Sequence, residues 1–263
     1  MMTIKDLFSL SDIYLSNRGL KNNRGFLAGA ELEIEAVRDF HGGWMEDNGI
    51  TPETDGSLRN GGREFLLPPS SRTESVELFQ GVHSKIDLGA NPFSYRTSIH
   101  VHVNCMYSTP SQVKALLYLY AIFEPLAFSF VGEERKNNIH CTPLWATHMP
   151  NLYRLGVDHL AEKWHKYTAF NILPLRELGT VEFRHLYGTD DAAVYQEWLL
   201  FISRLWQAAH DIGEFDVKNL TDLSFLKGLQ NQLMTSAFLT QCKEPPQYIL
   251  EDNLLDVKLS FIG

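Results

Sequence analysis

Hydrophobic and polar positions alternate along several short stretches of the chain, and a period of two predicts strands buried on one face. Residues 26–37 (FLAGAELEIEAV) alternate from Ala30 onward and predict a first strand. Residues 63–67 predict a second, stopped by Pro68-Pro69 because proline cannot donate to a ladder. Residues 97–106 (TSIHVHVNCM) alternate strictly and predict a third. Residues 168–173 and 180–187 predict two more, paired across 174–179.

Helical spacing marks other segments. Residues 71–86 read as a helix with a Ser71…Glu74 capping box and Val76, Phe79, Val82 and Ile86 along one side. Thr109 caps a further helix with Pro110 at its first position. That helix is apolar all round, which predicts a buried central element, and Pro125 is expected to kink or end it. A short helix over 157–167, an amphipathic helix capped by Asp190 and ended at Gly213, and a helix over 220–240 follow. Residues 39–60, rich in Gly, Asp and Asn, read as loop, and 132–156 as irregular. Residues 1–24 read as a polar leader that packs late or meets a partner, and the pattern after Glu244 assigns nothing.

Strands that alternate favour an antiparallel sheet covered by helices on one face, so the fold class is α+β. No repeat or linker divides the chain. It reads as a single domain over 1–263, with a core over 26–213 and a helical tail over 215–263.

Composition narrows the class. The 263 residues are 44% hydrophobic and 21% charged, which excludes disordered, collagenous and coiled-coil chains. No uninterrupted apolar run reaches the roughly 18 residues of a membrane span. Residues 116–131 come nearest, interrupted by Glu124 and Pro125. The start of the chain has no basic region followed by an apolar one, so no signal peptide is expected. A net charge of −9 without a Lys/Arg run argues against duplex nucleic acid as a partner. Three cysteines, Cys105, Cys141 and Cys242, form no CxxC, so each reads as a small buried hydrophobe in a reduced, cytoplasmic setting.

Alternation also sorts the chemistry. Glu31, Glu33 and Glu35 share one face of the first strand; His100, His102 and Asn104 share one face of the third; Thr180, Glu182 and Arg184 share one face of the last. A solvated face normally mixes Thr, Ser, Lys and Gln, whereas these positions are nearly all metal ligands, proton-transfer groups or anion clamps. Carboxylates that converge require cations, and an oxygen-rich set suits Mg²⁺ or Mn²⁺. His140, Cys141 and His148 match no tight ligand spacing and read as structural or exposed. The chain has no GxxxxGK[ST], which excludes a P-loop, and its Gly-Gly pairs at 42–43 and 61–62 read as turns.

The motifs occur in the order GAELEIE, TDGSL, GREFLLPP, SIHVHVN, KYTAFNILP and GTVEFRHLYGT, followed by a helix containing Trp198. This order resembles the amidoligase family of the glutamine synthetase and glutamate–cysteine ligase superfamily, over residues 29–198. The resemblance implies a curved, mainly antiparallel sheet with helices on its convex face, as in a glutamine synthetase catalytic domain. It implies ATP and Mg²⁺ (or Mn²⁺) as cofactors, and amide formation between a carboxylate and an amine. Glu31, Glu33, Glu64, His102 and Glu182 match metal-binding positions; His100, Asn104, Arg154 and Arg184 match nucleotide-binding ones; Glu33, Asp55 and Arg184 match catalytic ones. Which of His100 and His102 is the ligand stays open, and Leu67 stands where the family has Ser. Arg96, Arg135, Arg154 and Arg176 are spare cations, with Arg154 the candidate for a substrate or phosphate contact and Asn171 for a polar substrate contact.

Two other readings compete. One is a metal-dependent hydrolase or oxygenase built on His100, His102 and a Glu. The other is a non-catalytic interaction module of bacterial or phage origin derived from the ligase fold. The expected partners of the ligase are small-molecule or peptide carboxylates and amines, with no membrane.

Overall fold

The structure, a computed structural model, describes residues 1–144, 155–212 and 222–246. Among them it is α+β. Eight strands are β1 (Ala28–Ile34), β2 (Val37–Phe40), β3 (Thr51–Glu53), β4 (Arg63–Ser70), β5 (Ile86–Leu88), β6 (Ser98–Asn104), β7 (Phe170–Asn171) and β8 (Thr180–Tyr187). The helices are α1 (Ile4–Phe8), α2 (Ile13–Asn17), α3 (Gly42–Asp47), α4 (Arg72–Ser84), α5 (Pro110–Val131), α6 (Glu133–Lys136), α7 (Val157–Lys163), α8 (Ala192–Asp211), α9 (Leu223–Leu233) and α10 (Ser236–Gln241). Six strands form one sheet in the order β3-β4-β1-β6-β8-β7, and β2 pairs with β5 apart from it. Every strand pair is antiparallel.

The register explains the two faces. Phe65, Leu32, Ile99 and Leu186 line up across four strands, and Leu67, Ala30, Val101, Phe183 and Phe170 across five. These apolar rows join the core beneath α5 and α8. The core is aromatic there, with Trp198 stacked on Phe130 and Phe201.

Several sequence expectations are corrected. Strand β4 runs through Pro68-Pro69 to Ser70 rather than stopping before them. The two prolines face Gly29 at a bulge, where the ladder asks for no donor. A Cβ on Gly29 would stand 3.0 Å from the Leu67 carbonyl oxygen, so any larger residue would press on the β4 backbone here. Helix α5 starts on the Thr109 cap with a full capping box and runs through Pro125 to Val131, so of the two effects expected of that proline the ending does not occur. It is long and apolar enough to cross a membrane and is instead buried inside the fold. The loop expected over 39–60 contains α3 and β3. The helix cap lies at Asp191, not Asp190, and the expected helix over 220–240 is split into α9 and α10.

The leader is also more ordered than its composition predicts. Thr3 closes a capping box on α1, and backbone N–H groups of Ile4 and Lys5 donate to Ser108 and Met106 at 2.9 Å each. Lys5 Nζ lies 2.6 Å from Asp12 Oδ2, and Ile4 and Leu15 are buried.

Candidate functional site

The opposite face of the sheet collects polar side chains in register. Glu53, Glu64 and Glu33 form one row across β3, β4 and β1. Glu31 faces His100 in the next row, and His102, Glu182 and Asn171 form a third across β6, β8 and β7. Antiparallel pairing thus turns four scattered motifs into one patch.

Its centre is His100. Nδ1 lies 3.0 Å from Glu31 Oε2 and 3.4 Å from Glu182 Oε1, while Nε2 lies 3.9 Å from Glu33 Oε1. Glu31, His100 and Glu182 can turn one ligand atom each to a common point, and so can Glu33, Glu64 and His100, with those atoms within 4.8 Å of one another. His102 Nε2 approaches Glu31 Oε1 to 3.0 Å. That contact is an ion pair rather than an aligned hydrogen bond, and among the described residues this buried nitrogen has no hydrogen-bond partner.

The charges show in the titration of the groups. Burial raises Glu64, and the carboxylates of Glu31, Glu33, Asp55 and Glu53 raise it further, to about 8. Burial alone would raise Glu31 too, but the imidazoles of His100 and His102 pull it well below the usual carboxylate range. His102 is held above its ordinary value: burial disfavours its charged form, and Glu31 and Glu182 outweigh that. Carboxylates that converge on one imidazole, one of them resisting ionisation, are what an oxygen-rich divalent cation site would show, so these residues fit Mg²⁺ or Mn²⁺.

The remaining candidates divide. Arg184 donates from Nη1 to Glu182 Oε1 and from Nε to the His140 carbonyl at 3.1 Å. The other Glu182 oxygen accepts from Asn171 Nδ2 at 2.7 Å, so Asn171 makes a sheet-edge bond here. Asp55 sits in the turn after β3, accepting from the Ser57 N–H at 2.7 Å, and belongs to neither triad. Asn104 accepts from the Met106 N–H at 3.1 Å. Glu35 lies beyond the end of β1, where the Arg59 backbone and guanidinium satisfy it. Arg135 is not spare: it is buried, donating to the carbonyls of His185 and Arg184 at 2.8 and 2.6 Å. Those carbonyls belong to a bulge where Arg184 and His185 together oppose His100. Cys105 and Cys141 are buried, their thiols pushed up by burial to about 12 and about 11. Arg154 and His148 lie outside the described residues.

One contributor is new. Ser98 donates to Glu33 Oε2 from its N–H at 2.8 Å and its Oγ at 2.5 Å, and the same Oγ lies 2.8 Å from His100 Nε2. It fixes both rotamers. Its signal in the sequence is its place two residues before His100 on the same strand face.

A cavity of about 360 Å³ adjoins the patch at Glu31 and His102. Its walls include Leu66, Leu67, Met106 and Leu178.

No protein-family model matches the sequence, and no curated protein matches it. Among solved structures, the fold is similar to a GmaS–ADP complex, with a TM-score of 0.45, 14% identity, and coverage of 95% of this chain and 66% of that one. It is similar to a novel glutamine synthase homologue, with a TM-score of 0.43, 12% identity, and coverage of 98% and 69%. A bifunctional glutathione synthetase from Pasteurella multocida gives a TM-score of 0.39, 9% identity, and coverage of 98% and 54%. The chain thus spans about two thirds of the length of the first two and about half of the third.

Proposed function

We propose that the protein is an ATP-dependent carboxylate–amine ligase that forms an amide through an acyl phosphate. The observation that carries this reading is the convergence of Glu31, Glu33, Glu64 and Glu182 on His100 in two triads sharing that one imidazole. One imidazole has a single lone pair, so His100 would serve one cation in either triad while the remaining carboxylates could hold a second through oxygen alone, and divalent cations so held suit chemistry on a polyphosphate, whose charge they would neutralise.

A carboxylate does not condense with an amine at neutral pH, and phosphorylation supplies the leaving group. Glu31, Glu33, Glu64 and Glu182 would hold the cations together with His100, and once Glu31 engages a cation the His102 Nε2–H could turn to a phosphate oxygen. Bound Mg²⁺ supplies Lewis-acid neutralisation of the phosphates. Arg184 provides a planar guanidinium for the transferred phosphoryl group once Glu182 turns to a cation. Asp55, outside both triads, is the carboxylate free to take a proton from the incoming ammonium. On this reading the polar face is the concave side of a glutamine synthetase-like sheet and the helices back its convex side. The substrates are small or peptidic, and the setting is the cytoplasm.

Nucleotide binding tests this most directly. ATP, ADP or a non-hydrolysable analogue with Mg²⁺ or Mn²⁺ is expected to raise Tm by several degrees, because a ligand of the folded state alone stabilises by mass action. No response to any of them would remove the ligase reading. Tight Zn²⁺ or Fe²⁺ binding without nucleotide would favour the hydrolase or oxygenase.

A further inference from the structure

We propose that the amino-terminal segment completes the nucleotide site, with Tyr14 on α2 stacking against the base. This rests on the ligase reading above and adds to it a segment, residues 1–24, that lies outside the resembling motifs.

The cavity beside the carboxylate patch is walled on one side by α2, which contributes Tyr14 and Leu15, and on the other by the sheet. No Lys or Arg lines it, and its charged carboxylates, Glu31 and Glu177, are both negative. Away from His102 the lining offers a phosphate or carboxylate no cationic partner, whereas a flat uncharged ring is accepted. An apolar cavity of about 150 Å³ admits benzene. The 360 Å³ here has room for two fused rings. Glu31, a member of one triad, and His102 are among the lining residues, so a ring seated in the cavity would place an attached polyphosphate beside the triads.

Tyr14 is suited to cover such a ring. It is 57% exposed, as is Leu178 on the loop before β8, so two large apolar side chains are left uncovered along the cavity. The segment carrying Tyr14 is not loose. Its neighbour Leu15 is buried, and the Lys5–Asp12 ion pair ties α1 to the start of α2. Aromatic stacking on a base is sequence-tolerant and worth roughly 5- to 150-fold in affinity.

The test compares binding of Mg–ATP with that of Mg–tripolyphosphate, which lacks the base, by isothermal titration. Wild type is expected to bind ATP more tightly than tripolyphosphate. Tyr14→Ala and Tyr14→Leu should weaken ATP about tenfold or more and leave tripolyphosphate unchanged, while Tyr14→Phe should match wild type. Tyr14→Leu preserves apolar bulk on α2, so a loss it shares with Tyr14→Ala is a loss of the flat ring and not of folding. Unchanged ATP affinity in both variants, or an equal loss for both ligands, overturns the role of Tyr14 while leaving the ligase reading standing. If wild type binds neither ligand, the nucleotide reading fails and this proposal falls with it.

Discussion

Strands β6 and β8 carry histidines in opposite circumstances on their two faces. On the polar face, His102 is held above its ordinary value because Glu31 and Glu182 outweigh its burial. On the core face, His185 is held well below it, first by burial and then by the Arg135 charge. His185 Nε2 lies 2.8 Å from the Tyr120 hydroxyl, which in turn donates to Glu124 Oε1 at 2.6 Å, and the ring sits among Phe128, Phe183 and Trp198. Neither imidazole is exposed, so burial alone does not separate them; the charge of the neighbours does. The period of two lets one sheet keep a largely aromatic core and a carboxylate-rich face a strand's thickness apart.

The sharpest break in that comparison is made between adjacent residues. Phe183 is fully buried, with ring centroids 4.9 Å from Phe170 and 5.9 Å from Tyr120. Phe183→Ala should cost about 3–5 kcal/mol of unfolding free energy in urea. Its neighbour Arg184 faces the other way, and Arg184→Lys should leave the urea midpoint nearly unchanged. With a carboxylate–amine pair that wild type turns over, the same lysine variant should lose roughly tenfold to a thousandfold in ADP release, because an ammonium cannot hold two phosphate oxygens as a guanidinium does. Full activity would reduce Arg184 to a partner of Glu182 and move the search for the clamp to Arg96 or Arg176.

How much of this was legible in the sequence depends on locality. The alternating runs around Glu31, His100 and Glu182 assigned faces correctly, because side-chain direction along a strand is a local property. Strand order and register are not local, and they decide that Glu31 meets His100 while Glu33 meets Glu64. Bulges are equally hidden. The one opposite His100 re-phases β8 so that Leu186 pairs with Ile99 in the core, and it frees two carbonyls that Arg135 then occupies. A count of spare arginines along the chain could not detect that. The prolines of β4 misled for a related reason, since their missing donors matter only where the ladder requires them. Ser98 was legible by spacing but carries no charge, and its role appears only once Glu33 and His100 lie on either side of it.

Chelated protein gives the next sharpening. Glu64 is held at about 8, above its ordinary 4.5, by burial and four carboxylates. Below pH 4.5 the group is protonated folded or unfolded, and its contribution to stability is fully present. As pH rises the unfolded chain ionises first, so stability is lost progressively until the pH passes about 8. Urea midpoints in a chelator should therefore fall from pH 5 to pH 8 in wild type and fall less in Glu64→Gln. Saturating Mn²⁺ should raise the wild-type midpoint at pH 8, and raise that of the variant less, because the triad of Glu31, His100 and Glu182 is intact in both. An identical decline in both proteins would assign the pH dependence to another group.

His83 isolates what burial does when no hydrogen-bond partner is present among the described residues, and its effect should be the smallest because its displacement, from 6.5 to about 4, is smaller than that of Glu64. Its ring centroid lies 4.5 Å from Phe79 and 6.0 Å from Phe93, and neither ring nitrogen has a hydrogen-bond partner among the described residues. Burial pushes the pKa down, and the Asp190 carboxylate only partly opposes it. Here the folded value is depressed, so the stability is present above pH 6.5, where the ring is neutral in both states, and is lost as pH falls through about 4. This acid limb runs opposite to that of Glu64 and can be separated from it by working in the Glu64→Gln background. His83→Phe replaces an unpaired polar ring with an apolar one among the same aromatic neighbours. At pH 7 it should shift the urea midpoint little, and at pH 5 it should exceed the parent in stability. A variant that loses stability equally at both pH values would show that the His83 nitrogens are satisfied in solution, and that burial without a partner is not what holds this imidazole neutral.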